Sequence, residues 1–484
     1  MSTTVVNHPP CATSSFLFNE AIVRLPCIDN STTQGDNDTS KCGNLILNFG
    51  GPGVSTMAIF AKTEPDGLAS AIVRQRYNLV GPDIRGVGES SGIKCDNEIF
   101  NKRVSINVST QAEVDELVAR NKAMGESCAR MTGPLFNYLD TASAARDLDE
   151  IRQALGDDKL NYLGISYGTL LGAQYAELFP DRVGKMVLDG NVEHSQNSMD
   201  LLITEVQTLE DTFNVFLGWC NTSSTCAFHN QNLPSIFDKL VDEASSKPIP
   251  APGCHGPTPK CRPDVTGVEL VSSVQGMLTS TRSWPKLSHA LREATDGNAT
   301  LFSEKLLYNG GNNSADPANF PMAFLAIACA DGWGQEPISS VGESLNTTTT
   351  TTTTTTASSN RAASNLIARI MAARALAPHT RGITEGLDAQ ASCLGWPSPV
   401  RNPRRMLDAE RLKMAPPVLL VNALHDPSTS VVWAVGLRAQ MPNAVSVFRD
   451  GAGHGSYIGG ETQRVEDEFL VEGRVPGDMT HYPS

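Results

Sequence analysis

Three observations predict an α/β fold built on a mostly parallel sheet. Short apolar runs rich in β-branched residues recur along the chain, helical patterns lie between them, and the alternation breaks off mid-chain and resumes at Pro416. The runs are residues 44–48 (NLILN), 77–80 (YNLV), 160–165 (LNYLGI), 185–188 (KMVL), 418–422 (VLLVN) and 445–448 (VSVF). Between the third strand and its predecessor, residues 143–155 place Ala144, Leu148, Ile151 and Leu155 at helical spacing, with Gly156 as a stop. A second helix is predicted over 169–179, closed by Pro180.

These elements divide the chain. Residues 1–40 read as an irregular N-terminal segment and 41–195 as the first part of the sheet domain. Residues 196–404 form a cap-like insertion, and 405–484 complete the sheet. The insertion is helical in parts, as over 201–216, and otherwise loop-like, with PIPAPGCHGPTPKCRPD rich in Pro and Gly. Ten threonines at 347–356 lack apolar periodicity and are expected to form a mobile surface loop.

Composition narrows the function class. The formal charge of −14 carries no concentrated basic surface, which argues against nucleic-acid binding. No apolar run approaches the roughly 18 residues that span a bilayer. Eleven cysteines lack the paired spacing of a zinc site; Cys220 with Cys226 and Cys254 with Cys261 read as local disulfides. Sequons at Asn30, Asn37, Asn107, Asn221, Asn298, Asn312 and Asn346 agree with secretion. The opening MSTTVVNHPPCATSSFLFNE shows no signal-peptide pattern, so an intracellular location stays open beside the secreted one.

The chemistry centres on Gly164-Ile165-Ser166-Tyr167-Gly168, where a strand meets a helix. Glycines on both sides permit a tight turn that leaves Ser166 Oγ exposed at the sheet edge. A serine hydroxyl needs a base, an acid to orient that base, and donors for the oxyanion. NFGGPG at 48–53 follows a strand and can aim backbone N–H groups, so Gly51 and Tyr167 N–H are the expected oxyanion donors. Asp426 and His454 lie just past the last two strands, in the chain order Ser, Asp, His. His425 is the rival base, but neighbours on an extended segment point apart, which favours His454 beside Asp426. Asp83 and Arg85 read as an ion pair shaping their loop. Neither H-E-x-x-H nor G-x-x-x-x-G-K-[ST] occurs, and no cofactor is implied.

With these residues in place, the sequence resembles the α/β-hydrolase superfamily, and within it the tripeptidyl aminopeptidase-like branch related to proline iminopeptidases. The resemblance rests on NFGGPG, GPDIRGVGESSG, ARDLDEIRQALG, LNYLGISYGTLLGAQYAELFPDRVGKMVLDG, VLLVNALHDPSTS and GAGHG, covering most of 41–195 and 405–460. It implies an α/β-hydrolase fold and a serine hydrolase that works through an acyl-enzyme and releases short peptides from free N-termini. It also implies a cap whose acidic residues hold the substrate amine, and pairing of Cys95 with Cys128 and of Cys329 with Cys393. Glu205, Glu210 and Asp211 lie on a helix of the insertion, where a solvated face explains them equally well. Cleavage of small esters or lactones is the alternative within hydrolases, and an inactive ligand-binding relative is the alternative outside them.

Overall fold

The computed structural model describes residues 2–7, 19–28, 42–255, 261–304, 306–307, 319–334, 355–457 and 459–484. Its main sheet comprises β1 (Ser2–Asn7), β2 (Asn19–Leu25), β3 (Gly43–Asn48), β4 (Tyr77–Pro82), β5 (Leu160–Ile165), β6 (Val183–Asp189), β7 (Val418–His425), β8 (Ala444–Ala452) and β9 (Thr480–Pro483). The spatial order is β1-β2-β4-β3-β5-β6-β7-β8-β9. Strands β3 to β9 pair in parallel, while β1 and β2 add an antiparallel hairpin at one edge. All six expected strands form. The segment expected to be irregular, 1–40, instead contributes β1 and β2, and the polar run THYP supplies β9.

Crossover helices α1 (Thr56–Lys62), α2 (Gln111–Thr132), α3 (Thr141–Ala154) and α4 (Tyr167–Leu178) link the first strands. Between β6 and β7 the insertion contributes α5 (Ser198–Thr222), α6 (Gly267–Leu278), α7 (Phe320–Ala330) and α8 (Glu385–Ser392), with further helices at Leu233–Ser246, Trp284–Thr295 and Thr355–Leu376. It is therefore more helical than the Pro- and Gly-rich stretches suggest. Of the threonine run, Thr355 and Thr356 open a helix; 347–354 lie outside the described residues. Helices α9 (Val431–Gln440) and α10 (Gly460–Glu472) complete the sheet domain.

Strand side chains alternate between two apolar layers, as period-two geometry requires. Ile46, Val80, Tyr162, Leu188 and Leu420 pack with α2, α3 and α4 on one face. Leu45, Leu47, Leu79, Leu163 and Leu419 pack on the other, with Phe60 of α1 and Phe469 of α10. The insertion has its own core, in which Phe213, Phe216, Val274 and Trp284 are buried together. Disulfides join Cys220 to Cys226, Cys254 to Cys261, Cys95 to Cys128 and Cys329 to Cys393, as expected, and also Cys27 to Cys42. Cys11 and the sequons Asn30, Asn37, Asn312 and Asn346 lie outside the described residues, whereas Asn221 is exposed.

Candidate active site

Parallel strands send the loops after β3, β5, β6, β7 and β8 to one rim of the sheet, where the expected residues gather. Strand β5 ends at Ile165 and α4 begins at Tyr167, so Ser166 alone makes the turn, at φ 59° and ψ −126°. A β-substituted residue in this region stores roughly 1–3 kcal/mol of strain. Its neighbours hold it there: Ser166 N–H donates to the Asp189 carbonyl at 2.9 Å, and the Ser166 carbonyl accepts from Thr169 N–H at 2.8 Å and Thr169 Oγ1 at 2.6 Å.

The loop after β3 presses directly on this turn. A Cβ on Gly50 would lie 2.5 Å from the Ile165 carbonyl oxygen and 2.8 Å from Ser166 Cβ, and one on Gly168 would lie 2.7 Å from the Asn48 carbonyl oxygen. Only glycine admits this approach. Gly50 N–H is already given to Asn48 Oδ1 at 3.0 Å. Gly51 and Tyr167 line a cleft together with Ser166. As the first residue of α4, Tyr167 has an N–H without an intrahelical acceptor. Its phenol is buried and bonded to Thr141 Oγ1 at 2.6 Å, which turns the ring away into the core.

Asp426 and His454 meet as expected. Both Asp426 carboxylate oxygens lie 2.9 Å from His454 Nδ1. Asp426 is fully buried and also accepts from Ser428 N–H and Thr429 N–H at 2.9 Å and from Thr429 Oγ1 at 2.8 Å. Burial works against its charge, yet the imidazole and these hydrogen bonds hold its carboxyl below the usual range. For His454, burial likewise opposes protonation, but the Asp426 carboxylate outweighs it, helped by Glu385 and Asp189, and lifts the imidazole to about 9. Ser428 and Thr429 of the Asp426 loop line the same cleft as Ser166. Between Ser166 and His454 themselves no hydrogen bond is formed in this structure.

The rivals go elsewhere. His425 pairs with Asp211 on α5. Arg85 does not pair with Asp83 as expected: its guanidinium forms a two-pronged bond to Asp147 at 2.5 Å. Asp83 instead accepts from Ser55 Oγ and from Met57 and Glu89 N–H. Proximity in sequence suggested a pair that the topology places on different partners.

The α/β-hydrolase-fold family model matches residues 43–238, and one described as TAP-like protein matches 384–481. The chain has the α/β-hydrolase fold. It is 27% identical over 460 residues to serine protease Hip1 of Mycobacterium tuberculosis, covering 90% of this chain and 80% of that one. It is 28% identical over 473 residues to the tripeptidyl aminopeptidase of Streptomyces lividans, covering 94% and 79%. It is also 27% identical over 456 residues to carboxylesterase B of Mycobacterium tuberculosis, covering 90% and 79%.

Of the three acids considered on α5, the fold brings only Glu205 to the cleft. Glu210 is buried against His379 N–H, Thr380 N–H and Thr380 Oγ1, and Asp211 faces His425. A second carboxyl, Glu385 at the start of α8, opens on the same cleft. No motif in the sequence marks Glu385, which becomes a neighbour of Ser166 only through the packing of α8 on α5. Glu205 accepts from Thr384 Oγ1 at 2.9 Å and from Gly386 N–H at 3.0 Å. Burial nevertheless pushes its carboxyl up to about 8, and desolvation raises Glu385 as well. Val192, Phe324, Ala328, Trp333 and Trp433 give the wall its apolar part, and Ser428 and Thr429 add hydroxyls. Among the described residues no group of three or more His, Cys, Asp or Glu side chains is placed to hold a metal.

Proposed function

We propose that this chain is a serine peptidase of the aminopeptidase type, releasing short peptides from free N-termini through an acyl-enzyme. The observation that carries the reading is the Asp426–His454 pair on the same rim as a serine held in a left-handed turn. Ser166 Oγ attacks the scissile carbonyl carbon while His454 Nε2 takes the hydroxyl proton. Asp426 fixes the Nδ1–H tautomer and balances the imidazolium charge. The carbonyl oxygen, now an oxyanion, receives the N–H groups of Gly51 and Tyr167. As the C–N bond breaks, His454 returns the proton to the leaving amine. Water then attacks the ester carbon with His454 again as base, releasing the acid and restoring the serine. The Ser166–His454 hydrogen bond is expected to close when substrate enters, as such bonds often do.

Glu205 and Glu385 support the free-amine preference, because two buried carboxyls opening on the cleft are a partner for an ammonium group and a poor neighbour for an acyl chain. The peptidase names of two relatives point the same way. Five disulfides among the described residues support action in an oxidising compartment, and hence secretion. Among the same residues no helix is long and apolar enough to cross a membrane.

Labelling with a fluorophosphonate, with Ser166→Ala as control, tests the nucleophile; a wild type that does not label would leave the ligand-binding alternative in its place. A panel of free and N-acylated peptide amides against short acyl esters tests the substrate. Turnover of esters alone would remove the peptidase reading in favour of the activity named for the carboxylesterase relative.

A further inference from the structure

The loop that carries His454 is held by two buried side chains of opposite charge. Arg449, 2% exposed on β8, sends its guanidinium forward past the end of its own strand. Nη1 donates to the Ala452 carbonyl at 3.2 Å, and Nη2 donates to the Gly453 carbonyl at 3.0 Å and the Gly455 carbonyl at 3.1 Å. The two residues flanking His454 are thus tied by their carbonyls to one planar cation. The next two residues are tied by their amides to an anion. Ser456 N–H and Tyr457 N–H donate to Asp189 Oδ2 at 2.5 and 2.9 Å. Asp189 ends β6 and is fully buried. Its own carbonyl accepts the Ser166 N–H.

We infer that Arg449 and Asp189 are positioning residues that together set the imidazole of His454 against Ser166. The inference rests on the serine-hydrolase reading above. A guanidinium suits the first task because its fixed fork reaches several carbonyls at once, and glycines at 453 and 455 leave those carbonyls accessible. A carboxylate suits the second because consecutive N–H groups converge on one oxygen. Asp189 is the physical link between the two halves of the site, with its main chain on the nucleophile and its side chain on the base loop. Neither residue touches the cleft that Ser166 lines. Burying a cation whose purpose is only to fill space is costly compared with an apolar side chain, so a function beyond packing is the more economical account.

The test compares Arg449→Met, Arg449→Lys and Asp189→Asn with wild type, after melting curves establish which variants are folded. The readouts are the second-order rate of fluorophosphonate labelling, kcat and KM on one substrate, the active fraction by titration, and the pH profile of kcat/KM. For Arg449→Met the labelling rate and kcat should fall about 10- to 100-fold with KM nearly unchanged, the scale expected when a catalytic group is misplaced by about 1 Å. Arg449→Lys should recover part of the loss, and Asp189→Asn, which keeps one acceptor oxygen, should fall less than Arg449→Met. The acid limb of the profile should also move, since Asp426, Glu385 and Asp189 all face His454. A folded Arg449→Met that labels at the wild-type rate overturns the inference, as does a loss matched by the inactive fraction. Should Met fail to fold, the Lys and Asn variants decide by the same criteria. A wild type that does not label sinks the hydrolase reading itself, which is a distinct result.

Discussion

The rim of the sheet and the insertion that meets it build their parts of the cleft in different ways. Ser166, Gly51, Asp426 and His454 each stand within a few residues of a strand end, and backbone hydrogen bonds and buried charges fix them from below. Glu205, Phe324 and Glu385 come from helices of the insertion that reach the cleft through tertiary packing: α7 is buried in the sheet's own core, α8 and the first half of α5 pack with α2, and the second half of α5 enters the insertion's core. The two regions are stitched together above the rim. Thr279, just past α6, accepts the His454 N–H at 2.8 Å, Gln275 donates to the Pro427 carbonyl at 3.1 Å, and Trp433 Nε1 donates to Thr204 on α5 at 2.7 Å. Under the proposed function the difference is a division of labour: the rim would perform a reaction common to many acyl substrates, and the insertion would select the acyl group presented to it.

That division breaks if changes at the rim alter substrate choice. Ser166→Ala should lower kcat by about 10⁶-fold on every substrate tested, amide or ester. Asp426→Asn should cost about 10⁴-fold on all of them, because the imidazole loses both its tautomer and the charge that balances it. The pH profile carries the sign. His454 must be neutral to act as base, and Asp426 holds it protonated up to about 9, so kcat/KM of the wild type should climb with pH towards 9. In Asp426→Asn the burial that remains favours the neutral ring, and the acid limb should move to lower pH. A profile already flat at pH 7 in wild type would contradict this account.

The comparison is sharpened by changes in the insertion. Glu205→Gln and Glu385→Gln should each raise KM for free-amine peptides by about 10- to 100-fold, the scale of one hydrogen bond to a charged group. Turnover of short esters should stay near wild type. An equal loss on esters and peptides would mean that the acids serve the chemistry rather than the choice. Glu205 also has a stability signature. Its carboxyl is raised to about 8 by burial, so the stability it contributes is present below the ordinary carboxyl range and lost as pH rises through 8. Glu205→Gln should flatten that slope in pH-dependent melting curves.

The same contrast explains what could be read in advance. The rim was legible because its requirements are local. A strand-to-helix turn needs glycine at 168 where Asn48 packs against it, and a base at a strand end needs a short loop, so Ser166, Asp426 and His454 all sit in recognisable frames. The cleft wall was not, because nothing around Glu385 distinguishes it from any helix-opening acid, and only the packing of α8 on α5 makes it a neighbour of Glu205. Strands β1 and β9 were missed for a related reason: edge strands can stay short and polar, and β9 alternates half-buried with exposed positions; β2, with Ala21, Ile22 and Val23 buried, is a short apolar run alone in a polar stretch. Arg85 shows the opposite error, since a local pairing with Asp83 looked sufficient while Asp147 on α3 supplied better geometry.

The smallest expected effect separates stability from selection within the insertion. Cys220–Cys226 spans a sequence separation of 6, and Cys329–Cys393 spans 64. In the chain-entropy view a crosslink stabilises by restricting the unfolded chain, which gives about 2 kcal/mol for the short loop and about 4 for the long one. Cys220→Ala/Cys226→Ala should therefore lower Tm modestly and leave both ester and peptide kinetics unchanged, since neither residue borders the cleft. Cys329→Ala/Cys393→Ala should lower Tm further and also raise KM for peptides. Cys329 lies on α7 between the wall residues Ala328 and Trp333, and Cys393 directly follows α8, which begins with Glu385. Melting curves and paired ester and peptide kinetics on the two double variants measure both effects. If removing the long bridge lowers Tm by the expected amount with no change in peptide KM, the wall is held by apolar packing alone, and the disulfide stabilises without shaping the cleft.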